Sequence, residues 1–457
     1  MAINRYSLLA LIVLPLILYY STLGFYVLDI PKADDYGDSL RTFIDIKQAD
    51  DLKTKSQIFF KQHVDHRTSV SRSVYFISLA LFNRIDYSIL IFVGNAALLI
   101  IVLVIYRCLT LSASKPVVVA YMIPVTYLVF QPSAYVSMFW AMAALSNYLV
   151  MLWALLCFYF LTRHTTGGVF LSLLCAGLAS FTQGNGIGCL GIGLFYLLLS
   201  KKYKTDPRVN LHIGLWLIVS AVIVAAFSWG FHLRAPMEFP QGSEALAAHF
   251  KLEQSPLEVV HWMVAIFGSA VAHGSLSVAT IVGVIVVGVL GTFLRAGIYR
   301  LHPALSLYVL FILLSVSMVA VLRSDFFTIQ ISQSPRYTFY SSQLLAVLAA
   351  VGSHYLLVRS NGKATGMAVF ILGVSILVSG ASYFGNMGKI REQQYRVLNG
   401  MWLWNSKARK NPYAPLVANP GATLVDAKKA GIYTPPPLTY LPKDQWGRFA
   451  IGKSDAK

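Results

Sequence analysis

Charge is scarce in this sequence. Asp, Glu, Lys and Arg make up 12% of its 457 residues, against about 25% in a typical soluble domain. With 56% hydrophobic residues and a mean hydropathy of +0.63, this excludes an ordinary soluble core. Cysteine is nearly absent too. Cys108, Cys157, Cys175 and Cys189 lie in or at the ends of apolar runs, with no CxxC or metal-ligand spacing. They read as packing thiols rather than a disulfide framework. A clustered basic face is missing. The net charge of +18 comes from Lys and Arg scattered over loops and the tail, which excludes nucleic acid and favours anionic head groups or lipid phosphates. Charges inside the apolar runs are almost absent. That disfavours a flippase of lipid-linked sugars, whose pathway needs ionisable groups near the midplane.

What the chain has is a succession of apolar runs close to the roughly 20 residues that a bilayer demands. They predict an all-α polytopic membrane protein with about eleven transmembrane helices. Tyr6–Leu28 is too long for a signal-peptide core and lacks a cleavage site, so it reads as an uncleaved first span. Arg5 places its N-terminus in the cytoplasm. Further spans are predicted at 87–109, 116–130, 148–162, 168–181, 188–200, 211–231, 278–294, 305–322, 341–358 and 367–383. Ser73–Phe82 is too short to cross and reads as a half-helix. Val259–Ala272 reads as re-entrant, and Ser133–Asn147 as an outer connection. Lys201, Lys202, Lys204 and Arg208 mark the cytoplasmic side, as do Arg295 and Arg300. Residues 1–384 then form a transmembrane domain with a first outer loop over 29–72. Residues 385–457 form a small extracytoplasmic domain, ordered by aromatics such as Trp402, Trp404 and Trp446.

The first outer loop holds the candidate chemistry. Eight of the nineteen acidic residues fall between Asp29 and Asp65. Asp34, Asp35 and Asp38 follow the first span closely, and Ser39–Ile46 and Ser56–Val64 pattern as interfacial helices. A carboxylate partly desolvated at the membrane boundary can have its pKa raised enough to act as a general base. Asp35 is the preferred base with Asp34 as its partner, and the reverse assignment is nearly as good. A solvated acidic turn or a helix N-cap accounts for the same residues. His63, Asp65, His66 and Arg67 offer groups for a phosphate or a sugar hydroxyl, or caps for the half-helix. Arg323 and Arg336-Tyr337, at the outer ends of late spans, suit a lipid phosphate or serve as interfacial anchors. Gln183-Gly184-Asn185-Gly186 makes a polar hairpin at membrane depth, which survives only where protein or a water-filled cavity satisfies its backbone. No cofactor is called for. A divalent metal at His63, Asp65 and His66 is the one addition considered, and their spacing matches no standard site.

Taken in order, these motifs resemble those of the GT-C superfamily, the polytopic glycosyltransferases that use polyprenyl-phosphate sugars. The acidic pair Asp34-Asp35 follows the first span, and His66-Arg67 precedes a short helix. Gly184-Asn185-Gly186 sits in a short-helix hairpin, and Arg323 and Arg336-Tyr337 come before a late span. The likeness runs over Tyr6 to Tyr383 as scattered short motifs. It implies an enzyme of the bacterial inner membrane with its active site facing the periplasm. It implies transfer of a single sugar from a polyprenyl-phosphate donor to a hydroxyl of a periplasmic glycan, lipopolysaccharide or protein, with inversion. Asp35 or Asp34 would be the base. Asp38, His66, Arg67, Asn185, Arg323, Arg336 and Tyr337 would bind substrate. An oligosaccharide ligase or polymerase is the rival enzyme class.

Overall fold

The computed structural model describes residues 5–64, 66–111, 115–200, 205–232, 255–324, 327–359, 364–405 and 420–436. Asp65, Lys201, Lys202, Lys204 and Trp446 lie outside them, and so do the expectations resting on those residues. The regular structure among the described residues is helical, apart from one antiparallel bridge between His63 and His66. The helices are α1 (Arg5–Tyr26), α2 (Thr42–Gln48), α3 (Leu52–Phe60), α4 (Ser69–Phe82), α5 (Tyr87–Thr110), α6 (Lys115–Val129), α7 (Ala141–Leu161), α8 (Thr166–Ser180), α9 (Gly184–Leu199), α10 (Val209–Ser228), α11 (Pro256–Ala272), α12 (Leu276–Arg295), α13 (Pro303–Ser324), α14 (Thr338–Arg359), α15 (Ala364–Asn405) and α16 (Pro420–Lys429).

Seven of these, α1, α5, α7, α10, α12, α13 and α15, are long and apolar enough to cross a membrane. The bundle is built around α7, whose apolar window is 83% buried, against 17% for α1, α10 and α12. The outer helices turn Leu9 and Ile17, Ile218 and Val222, and Ile281 and Val284 away from the protein. Such continuous apolar faces have no partner in water and fit lipid chains. Some polar groups inside the bundle find partners there, which that environment favours. Asn95 donates to the carbonyls of Ile91 (2.8 Å) and Met138 (2.9 Å) and accepts from Tyr19 Oη at 2.5 Å.

Two stretches differ from the sequence expectation. Ser133–Asn147 is not a simple connecting loop. Its short turns are largely buried, and from Ala141 the chain is helical and continues into α7. Its small residues let it approach α5 closely: a Cβ built on Gly94 would lie 2.6 Å from Ala144 Cβ. The second difference is at 384/385, which falls inside α15, a single helix of 42 residues. At 1.5 Å per residue that is about 63 Å, roughly twice the hydrocarbon thickness, so α15 extends well past one bilayer face. Trp402 and Trp404 are on this helix rather than on a separate body.

The far end of α15 and the segment after α16 close over the first loop. Gln394 of α15 accepts a 2.9 Å bond from Lys32 Nζ. Tyr433 Oη donates to the Asp29 carbonyl at 2.7 Å, and the Ile85 N–H donates to the Ile432 carbonyl at 2.8 Å. Inside the loop, Asp38 Oδ1 accepts from Arg72 Nη2 (2.5 Å), Arg72 Nε (3.1 Å) and Thr68 Oγ1 (2.9 Å). Arg72 also donates to the Phe59 and Lys61 carbonyls, so one guanidinium ties the start of the loop, the end of α3 and the start of α4 together. Breaking a buried ion pair strands the remaining charge, at a cost of about 3–5 kcal/mol. Asp38→Asn is therefore expected to lower the midpoint of thermal unfolding in detergent. A double Asp38→Leu, Arg72→Met variant should recover much of the loss. A midpoint unchanged by Asp38→Asn would show that this pair does not hold the loop.

Candidate active site

A cavity of about 370 Å³ opens where the first loop meets the α8–α9 hairpin and the facing ends of α13 and α14. Six of the nine site residues named from sequence line it: Asp34, His66, Asn185, Arg323, Arg336 and Tyr337. They come from four separate parts of the chain. The hairpin that brings Asn185 there is tightly made. A Cβ on Gly186 would lie 2.0 Å from the Ala179 carbonyl oxygen, so only glycine fits. Its backbone is satisfied by protein, as membrane depth demands. The Phe181 carbonyl accepts from Val70 N–H at 3.0 Å, and Gly184 N–H donates to His66 Nδ1 at 3.3 Å. His66 is thereby fixed against the hairpin while its ring borders the cavity.

The three neighbouring carboxylates have different surroundings. Asp34 is half-buried on the cavity wall. Burial pushes its pKa up, but contact with His63 and the charges of His63, Arg336 and His66 outweigh that and hold it below the usual carboxylate value. Asp35 is 1% exposed and does not border the cavity. Its oxygens accept from the N–H groups of Lys32 (2.9 Å) and Met142 (3.0 Å) and from Tyr75 Oη (3.1 Å). Burial raises its pKa to about 7 in spite of those bonds. A raised pKa suits a base, yet geometry comes first. Of the two adjacent carboxylates only Asp34 borders the cavity, and Asp35 lies behind its wall. Asp38 is fully buried, engaged with Arg72 and Thr68, and away from the cavity, so it braces the loop.

Arg67 is likewise a brace. It donates to the carbonyls of Phe227 (2.6 Å), Phe60 (2.6 Å) and Trp229, fastening the loop to the end of α10. Arg336 lies over the Tyr337 ring at 4.8 Å and donates to its hydroxyl at 2.5 Å. Burial alone would lower the guanidinium's pKa, but Tyr337 and the Asp34 charge raise it. Asn185 Nδ2 bonds Ser315 Oγ (2.9 Å) and Tyr340 Oη (3.2 Å).

Trp140, Ser146 and Asn147, in the stretch read as an outer connection, were not singled out from sequence, whereas His63 and Gln183 were noted there among the polar motifs. The available signal was the polar pair Ser146-Asn147 inside an otherwise apolar run, since polar residues at membrane depth mark function. No group of three or more His, Cys, Asp or Glu arranged for a metal occurs among the described residues. No protein-family model matches the chain, and no curated protein or solved structure matches it either.

His63 stands between the cavity and the brace, with Nδ1 3.7 Å from Asp38 Oδ1. Burial lowers its pKa, but Asp34 and Asp38 outweigh both burial and the nearby Arg72 and raise it above 6.5. A folded-state pKa above the unfolded value stabilises the fold below the unfolded value, and that contribution is lost as pH rises through the folded one. His63→Gln should thus be less stable than the parent protein below about pH 6.5. The gap should close as pH rises past the raised imidazole pKa. Thermal unfolding across pH checks this, and a gap that widened with pH would contradict the assignment.

Proposed function

We propose that this protein is a multi-pass membrane glycosyltransferase that moves one sugar from a polyprenyl-phosphate donor to a hydroxyl of an envelope acceptor. The observation that carries the reading is a single small cavity, at one end of an apolar bundle, that combines a carboxylate with two arginines. Asp34 supplies the carboxylate, and Arg323 and Arg336 the cations. Carboxylate, cations and an apolar approach are what displacement of a lipid phosphate requires.

In this reading Asp34 takes the proton of the acceptor hydroxyl as its oxygen bonds to the anomeric carbon. The bond from that carbon to the phosphate oxygen breaks, and the electron pair leaves on the lipid phosphate. Arg336 and Arg323 hold the departing charge. One displacement inverts the anomeric configuration. Phe227, Phe231, Met318 and Leu322 form the apolar part of the wall, which suits the first units of a lipid chain.

The topology completes the proposal. Eleven segments cross in this reading: α1, α5–α10 and α12–α15, with α11 re-entrant. Alternation then puts Asp34, the hairpin, Arg323 and Arg336 on the same face. Their convergence on one cavity supports that alternation. Arg107, Arg163 and Arg295 fall on the opposite, cytoplasmic face, so the cavity opens to the periplasm of a bacterial inner membrane. A cavity of about 370 Å³ is at the small end for ligand sites and disfavours a preassembled glycan, hence a ligase or polymerase.

The test is sugar transfer in membranes from radiolabelled polyprenyl-phosphate sugars to envelope acceptors. Asp34→Asn should lose about 10²–10⁴-fold in rate at normal membrane levels, as expected when a positioned base is removed. Asp35→Asn should act through the amount of folded protein, with activity per folded molecule retained. Full transfer by Asp34→Asn would remove the base assignment, and no transfer by the parent protein from any donor would remove the function.

A further inference from the structure

The cavity wall carries polar atoms that the fold leaves without a partner. Asn185 Oδ1, Gln183 Oε1, Ser146 Oγ and Trp140 Nε1 are all buried, and none bonds to another protein group. Asn185 is 7% exposed and Ser146 6%. A buried polar group left unsatisfied costs roughly 1–3 kcal/mol. With His63 Nε2 they make five such atoms among the residues lining this cavity, and together they point to a ligand that completes them.

Their chemistry is specific. The amide nitrogens are already engaged: Asn185 Nδ2 by Ser315 and Tyr340, and Gln183 Nε2 by Asn147 Oδ1 at 3.2 Å. What remains is two carbonyl acceptors, one indole donor, one hydroxyl that can do either and the His63 Nε2 nitrogen. Sugar hydroxyls both donate and accept, so they can satisfy every one of these. A carboxylate only accepts, and would face the two amide oxygens with nothing to give them. An ammonium only donates, would leave the indole N–H unpaired, and would need a counter-charge. The cavity's only carboxylate among the described residues is Asp34, which already faces His63, His66 and Arg336. Burying an unpaired charge is costlier than burying a hydroxyl.

We propose that Trp140, Ser146, Gln183 and Asn185 form a subsite for an uncharged sugar ring, so that the transferred sugar carries neither a free amine nor a carboxylate. This rests on the glycosyltransferase reading and adds the class of sugar to it. The subsite and the arginines divide the donor: neutral groups meet the ring, and cations meet the phosphate.

The experiment uses the full chain in nanodiscs and synthetic farnesyl-phosphate probes. The neutral set carries glucose, galactose, mannose, rhamnose, arabinose or N-acetylglucosamine. The charged set carries glucosamine, galactosamine, glucuronate or galacturonate. Bare farnesyl phosphate is the reference, and binding is read by thermal shift and tryptophan fluorescence. At least one neutral probe should bind about tenfold more tightly than the reference, the yield of one or two added hydrogen bonds, and no charged probe should. Ser146→Ala and Gln183→Ala should each reduce that advantage while leaving affinity for bare farnesyl phosphate unchanged. A charged sugar that binds more tightly than every neutral one overturns the inference and leaves the glycosyltransferase reading standing. So does a reference that binds as well as every sugar probe. If farnesyl phosphate and all its sugars fail to bind, the donor reading falls and the subsite with it.

Discussion

Asp38 and Arg72 meet inside the first loop, 34 residues apart in sequence, with neither side chain reaching solvent to any extent. Much of the first loop is organised around this contact. It turns a polar loop between two apolar helices into a folded piece with its own interior. Arg72 orders the end of α3 by taking the Phe59 and Lys61 carbonyls, and Thr68 adds the start of α4 to the same carboxylate. With Asp38 held there, the preceding turn has one course. It buries Asp35 against Tyr75 and the Met142 N–H, and leaves Asp34 at the cavity wall. Three carboxylates within five residues thus take three roles, and the differences come from burial and partners alone.

The loop is also held from outside the bundle core. Lys32 is buried, and its ammonium donates to the Phe139 carbonyl at 2.6 Å as well as to Gln394. Burial draws its pKa down to about 7 although Asp35 opposes the change. Lys32 therefore joins three parts of the chain near the site: the first loop, the turn before α7 and the far half of α15. The segment after α16 adds the Tyr433 and Ile432 bonds on the other side. A loop of this length between two membrane helices pays a large entropy penalty for one fixed geometry. These long-range contacts offset it, and they give the C-terminal part of the chain a structural task at the first loop.

Much of this architecture could be read from the sequence. Apolar runs locate helices well, because a bilayer sets their length, so α1, α5, α10, α12 and α13 fall where hydropathy put them. The approach of Asp34, His66, Asn185, Arg323 and Arg336 was legible as a set of polar motifs at one membrane face. Two things were not. Hydropathy cannot tell a buried apolar turn from an exposed one, so Ser133–Asn147 looked like a connection and Trp140 and Ser146 were missed. Nor does spacing say which of two adjacent carboxylates faces the cavity. That choice is made by Tyr75 and Met142, which lie 40 and 107 residues from Asp35. The drop in hydropathy near 384/385 does not mark a helix end, because α15 continues as one helix to Asn405.

On the proposed function, the cavity's charges also bear on how Asp34 could act as a base with a depressed pKa. His63, His66 and Arg336 all favour ionised Asp34, which makes the carboxylate a weaker proton acceptor. On the proposed function, the donor brings a phosphate that competes for the same cations. Each cation that turns to the phosphate stops stabilising ionised Asp34, and its proton affinity rises. Water leaving the cavity pushes in the same direction, because desolvation disfavours the charged carboxylate. The base is then strongest only when a donor is present to receive the attack. Asp35, with no cavity access and no share in those cations, has no such coupling, and its titration near neutrality belongs to the scaffold.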